Sequence, residues 1–110
     1  MSDPMTALKA ASAWITTVAM HGPAVAAMTV EESNAQALQA LRQAQVELYC
    51  GHDQGALTAL RQAREVLAAP ERRGEDPRAQ LSVEVATWHV RRHEAEEAQA
   101  AIAHARERLA

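Results

Sequence analysis

Phenylalanine is absent from the 110 residues, tyrosine and cysteine occur once each and tryptophan twice. A single cysteine cannot close an intramolecular disulfide, so the chain is no stapled miniprotein and bears no mark of an oxidising compartment; a cytoplasmic location is the default expectation. Basic residues are not in excess, with 11 Lys and Arg against 14 Asp and Glu for a formal net charge of −3. Nine Arg meet nine acidic residues from Ala56 onward. No basic face stands ready for phosphates, and nucleic acid is not an expected partner. Leu, Ile and Val together fill only 19 positions. That scarcity is a compositional mark of disorder, but the low net charge and the helical spacing of the apolar residues argue for an Ala-rich helical core instead. Such a core buries little area per residue, which predicts marginal stability for a monomer. The length suits one domain.

Ser2-Asp3-Pro4 is a helix-start signal, with proline at a position where its missing N–H costs nothing. It predicts a helix over 4–21 through Leu8, Ala11, Trp14, Ile15 and Val18, stopped by Gly22-Pro23. A secretory signal is the rival reading, since Ala24-Val25-Ala26 follows the apolar run. Against it stand the acidic start and the diluting Ser12, Thr16 and Thr17, and the run is too short and polar to span a bilayer, so no membrane association is expected. Thr29-Val30-Glu31-Glu32 is a capping box and opens a second helix over 30–50, with Leu38, Leu41, Gln45 and Leu48 as its stripe. Asp53 is placed to cap a third over 54–68 carrying Leu57, Leu60, Ala63 and Leu67. Residues 69–76 read as a polar linker.

Asp76-Pro77 repeats the opening device, and no Gly or Pro follows it, which predicts one long helix over 77–110. Leu81, Trp88, Ala95, Ile102 and Leu109 recur every seven residues along it. At 1.5 Å per residue this helix would reach roughly 50 Å and overhang its neighbours, unless it breaks near Arg92-His93 and folds back. The overhang predicts a homodimer closed through Ile102 and Leu109. The break is favoured by a weak internal repeat, which sets Ala56, Ala59, Leu60, Ala63-Arg64-Glu65 and Leu67 on Ala98, Ala101, Ile102, Ala105-Arg106-Glu107 and Leu109. Chance alignment of Ala-rich amphipathic helices is the competing account of that echo. The fold class is therefore all-α: a four-helix antiparallel bundle, or a short array of helical hairpins with a long C-terminal helix.

Ala40, Ala44, Leu48, Gly51-His52-Asp53-Gln54-Gly55-Ala56, Leu60 and Ala63 resemble a tetratricopeptide-type hairpin, in which small residues let two helices pack closely around a Gly-Asp turn. The spacing is also similar to the Ala-rich helices of YfdX-type bacterial stress proteins. The repeat, running from Ala56 to Ala98, is longer than the about 34 residues of tetratricopeptides, and the large aromatic anchors are missing. The resemblance implies binding of another protein rather than catalysis.

Few residues suggest chemistry. On a continuous last helix His89 and His93 lie one turn apart, with Glu96 or Glu97 a further turn on and His104 beyond, a His/Glu stripe able to hold Zn or Ni. A solvated polar face is the plainer reading, because the stripe lies opposite the apolar one. Cys50 sits at a helix C-terminus, which disfavours a thiolate, and no Ser/His/Asp order, HExxH sequence or phosphate loop accompanies it. No His has the Lys-Gly pair of a phosphotransfer domain downstream. Trp14 and Trp88 read as core anchors, Tyr49 as part of a recognition surface, and Arg92 and Glu96 as an i,i+4 pair. The expectation is a non-enzymatic protein-interaction module without cofactor, an adaptor, small chaperone or accessory subunit; the alternative is a metal- or pH-responsive protein using His89, His93 and Glu97.

Overall fold

The computed structural model describes residues 28–110. The expected helix over 4–21, Trp14 and the signal-like segment lie outside the described residues. Four helices follow: α1 (Val30–Tyr49), α2 (Asp53–Leu67), α3 (Arg78–Arg91) and α4 (Ala95–Leu109), with a 3₁₀ turn at Pro70–Arg72. The described residues contain no strand.

Each boundary has a local cause. Thr29 is extended (φ −71°, ψ 162°) and its hydroxyl accepts the Glu32 amide at 3.0 Å, as the capping box requires. The return bond differs, because the Thr29 hydroxyl donates to the Glu32 carboxylate at 3.1 Å. At the start of α3, Pro77 already has helical angles, and the Asp76 carboxylate accepts the Arg78 amide at 3.0 Å. Asp53 is no cap. It is the first residue of α2, and its carboxylate turns away to His93.

The expected single helix over 77–110 breaks at residues 92–94. Both helical hairpins turn through the same device. Gly51 is left-handed at φ 76°, the His52 amide donates to the Glu47 carbonyl at 2.8 Å and the Gly51 amide to Leu48 at 3.0 Å. At the second turn His93 holds φ 59°, Glu94 donates to the His89 carbonyl at 2.9 Å and His93 to Val90 at 3.0 Å. A side-chain-bearing residue therefore occupies the glycine position, at a cost of roughly 1 kcal/mol. His93→Gly is expected to raise stability by up to about 1 kcal/mol and Gly51→Ala to lower it by a similar amount, both read from chemical denaturation. A loss of stability on His93→Gly would show that the His93 side chain outweighs the strain of its backbone.

The core places the two hairpins in one register. Ala37, Leu41, Ala44 and Leu48 of α1 are buried, and so are their counterparts Ala79, Val83, Ala86 and Val90 of α3. Ala56, Ala59, Leu60, Ala63 and Leu67 of α2 likewise correspond to buried Ala98, Ala101, Ile102, Ala105 and Leu109 of α4. Within a hairpin α1 packs on α2 and α3 on α4; between hairpins α1 meets α4 and α2 meets α3. Exchanging each helix for its counterpart turns one cross-contact into the other, so the hairpins meet in a two-fold-like way and close a four-helix bundle. Small residues dominate both faces, which allows close approach but leaves Leu41, Leu60, Ile102, Val83 and Val90 as the largest fully buried side chains.

Several expectations fail on this register. Ile102 and Leu109 are core residues at 0% and 7% exposure and present no interface. Since the chain turns back at residues 92–94, the overhang that predicted a homodimer does not exist. The seven-residue stripe is broken by the turn, which resets the helical phase: Leu81 and Trp88 point outward, and Trp88 is no core anchor. In α1 the buried line is Ala37-Leu41-Ala44-Leu48, with Leu38 half-buried and Gln45 beside it receiving Gln99 on its carbonyl (3.1 Å) and Arg106 on its amide oxygen (2.6 Å). The linker is not wholly solvated either. Arg72 is buried, donating to Ser33 Oγ and Asn34 Oδ1, both at 2.6 Å.

Candidate functional site

On α3 the residues Leu81, Val85 and Trp88 are spaced four and three apart, so they stand in one line on the helix face opposite its buried Ala79, Val83, Ala86 and Val90. The line is about 10 Å long at 1.5 Å per residue. Its members are 55%, 48% and 55% exposed. The duplicated architecture supplies its own control, because the corresponding positions of α1 are Gln39, Gln43 and Val46. The same fold is thus satisfied with two glutamines on that face, and folding does not require the apolar side chains of α3 to be there.

Arginines gather at the Trp88 end of the line. The Arg92 guanidinium lies over the Trp88 ring, 4.5 Å from its centroid, and His89 meets the ring edge-on at 5.0 Å. Beside Trp88 a groove of about 230 Å³ between α2 and α3 is lined by Arg64, Glu84, Thr87 and Arg91. Arg64 and Arg91 form no ion pair among the described residues. Sequence reading misses Leu81 and Val85 as surface groups because Leu81 falls in the seven-residue stripe. The alignment of the two hairpins carries the signal, since it sets both on glutamines.

The expected metal ligands are not brought together. The break leaves His89 at the end of α3, His93 in the turn and Glu97 exposed on α4. His89 Nδ1 meets Glu94 Oε1 at 2.9 Å, His93 Nδ1 meets Asp53 Oδ2 at 2.9 Å, and His104 is exposed. Among the described residues no three His, Cys, Asp or Glu side chains form a group able to hold a metal ion. Three of the histidines brace turns instead. His52 Nδ1 meets Glu47 Oε2 at 3.2 Å in the first hairpin, and in the second the two residue types have exchanged places, His89 standing for Glu47 and Glu94 for His52. The His93–Asp53 contact joins the two turns at one end of the bundle. Arg92 is non-helical and pairs with Glu94 at 3.3 Å rather than with Glu96. Cys50 is exposed and free, and Tyr49, 90% exposed, projects from the end of α1 at the same end of the bundle.

Hydrogen bonding from His89, opposed by partial desolvation and reinforced by Arg92, holds the Glu94 carboxyl below the ordinary glutamate range. A depressed carboxyl contributes stability above its unfolded value of about 4.3 and loses it as pH falls through the lower folded value. Glu94→Gln is therefore expected to shrink the stability difference between pH 6 and pH 3 measured by denaturant titration. An unchanged difference would show that the pair does not couple to folding.

No family model matches the chain, and no curated protein and no solved structure does so either. No helix among the described residues is long and apolar enough to cross a membrane.

Proposed function

We propose that the protein is a non-enzymatic protein-interaction module, an adaptor or accessory subunit, and that the outer face of α3 is its contact surface. The observation that carries this reading is the Leu81-Val85-Trp88 line, exposed where the sister helix presents Gln39, Gln43 and Val46. Water contact is unfavourable for these side chains, and they serve no packing role in the bundle. An aromatic residue braced by an arginine, with aliphatic neighbours, is the composition that anchors protein interfaces. The resemblance to tetratricopeptide-type hairpins points to the same class of function.

The test is capture from cells of the source species by immobilised full-length protein, comparing wild type with Trp88→Ser and with Gln43→Ser on the sister face. Trp88→Ser is expected to strip a specifically captured protein while Gln43→Ser retains it. Identical captured sets for the three proteins would reject the reading.

A further inference from the structure

We propose that the outer face of α3 binds an acidic amphipathic helix of a partner protein, its apolar residues seated on Leu81, Val85 and Trp88 and its carboxylates on Arg64 and Arg91. This rests on the interaction reading above and names the chemistry of the partner.

Charge selects the occupant. The chain as a whole is acidic, at −3. Within it α1 carries Glu31, Glu32 and Glu47 against Arg42, whereas α3 carries Arg78 and Arg91 against Glu84. The apolar line thus lies on a helix less acidic than its sister: Arg78 is paired with Asp76 at 3.2 Å, and in the groove at the Trp88 end Arg91 and Arg64 outnumber Glu84. Arg64 and Arg91, without carboxylate partners among the described residues, stand in water beside an apolar strip. A helix of two to three turns with apolar residues at i, i+4 and i+7 matches the spacing of the strip, and glutamates on its flank complete the two arginines. A second copy fits less well: in antiparallel pairing centred on Val85 the one carboxylate of α3, Glu84, falls at the centre and leaves Arg91 with no acidic group opposite it. Residues 1–27 hold one carboxylate, Asp3, too few for both arginines.

The probes are two fluorescein-labelled 18-residue peptides with leucine at the same i, i+4 and i+7 positions, one flanked by glutamate and one by lysine. They are titrated by anisotropy against the full chain. The glutamate peptide is expected to bind at least tenfold tighter than the lysine peptide. The double variant Arg64→Glu with Arg91→Glu should reverse that order, and Val85→Asp should abolish binding of both with helix content unchanged, since these side chains carry no core contacts. Gln43→Asp on α1 should leave binding intact. Equal binding of the two peptides, or an order that survives the charge reversal, overturns the proposal. So does a dimer in sedimentation that Val85→Asp dissolves, tighter peptide binding after removal of residues 1–27, or binding to phosphatidylglycerol vesicles in place of the peptide. Should neither peptide bind while Trp88→Ser still strips the captured protein, the acidic helix is excluded and the interaction reading stands; should Trp88→Ser strip nothing, the interaction reading falls as well.

Discussion

Ile102→Ala is expected to destabilise the protein by about 2–5 kcal/mol, the range for removing a fully buried aliphatic side chain and leaving part of its volume empty. Ile102 is wholly inaccessible and is one of five large side chains fully enclosed by an alanine-rich core. Alanine neighbours have no rotamers with which to fill the gap, so the upper half of the range applies. Ile102→Glu goes further and buries an unpaired carboxylate. It is expected to abolish folding, read as loss of the helical circular dichroism signal at room temperature. A variant that kept its helix content and instead dissociated from a dimer would place Ile102 at an interface and contradict the fold. Leu81→Ala, on the outer face of α3, serves as the contrast and is expected to stay within about 0.5 kcal/mol of wild type.

The second large effect is expected at Arg72→Ala, a loss of about 2–3 kcal/mol from a buried charged donor and the polar partner it deserts. The Arg72 guanidinium is buried and donates to Ser33 Oγ and Asn34 Oδ1, with a longer bond of 3.4 Å to the Val30 carbonyl. Hydrogen bonds from a charged donor contribute more than neutral ones, and truncation leaves the buried Ser33 oxygen without its donor. Arg72→Lys is not a conservative replacement, because one ammonium cannot reproduce the planar fork. It should retain less than half of the lost stability in a urea titration. A change for Arg72→Ala no larger than that of an ordinary surface substitution, about 0.5 kcal/mol, would mean that the linker is held without it.

Sequence reading reaches α1, α2 and the first turn closely because their signals are local. Thr29 with Glu32 and Gly51 after Leu48 act within one helical turn of the residues they control. The second turn is harder, because the position that Gly51 fills in the first hairpin is occupied by His93, a residue far weaker than glycine as a signal of a left-handed backbone. Without that stop, Leu81, Trp88, Ala95, Ile102 and Leu109 line up as one stripe. The spacing is real, but it crosses a break that changes which face of α3 looks inward. Alanine makes the true face hard to see: Ala79 and Ala86 are buried beside Val83 and Val90, yet alanine is equally at home on a surface. The internal repeat corrects this, since it sets Ala79, Val83, Ala86 and Val90 on Ala37, Leu41, Ala44 and Leu48. The His/Glu stripe fails for the same reason, as it needs an unbroken helix to align His89, His93 and Glu97. Arg72 is hidden because a charged residue in a Pro- and Gly-bearing segment gives no sign that it folds onto a helix start.

Closing each hairpin over three residues also fixes how fast the molecule assembles. The bonds that shape the turns join residues three to five positions apart, and the two densest packing layers, α1 on α2 and α3 on α4, form without long chain closure. Low contact order of this kind places refolding in the microsecond-to-millisecond range. The Arg72 bonds span 38 to 42 positions and tie the segment between hairpins back to α1. They are expected to form as the two hairpins dock, after the rate-limiting barrier. Loss of Arg72 should therefore leave the refolding limb of a chevron plot where it was and register almost entirely as faster unfolding.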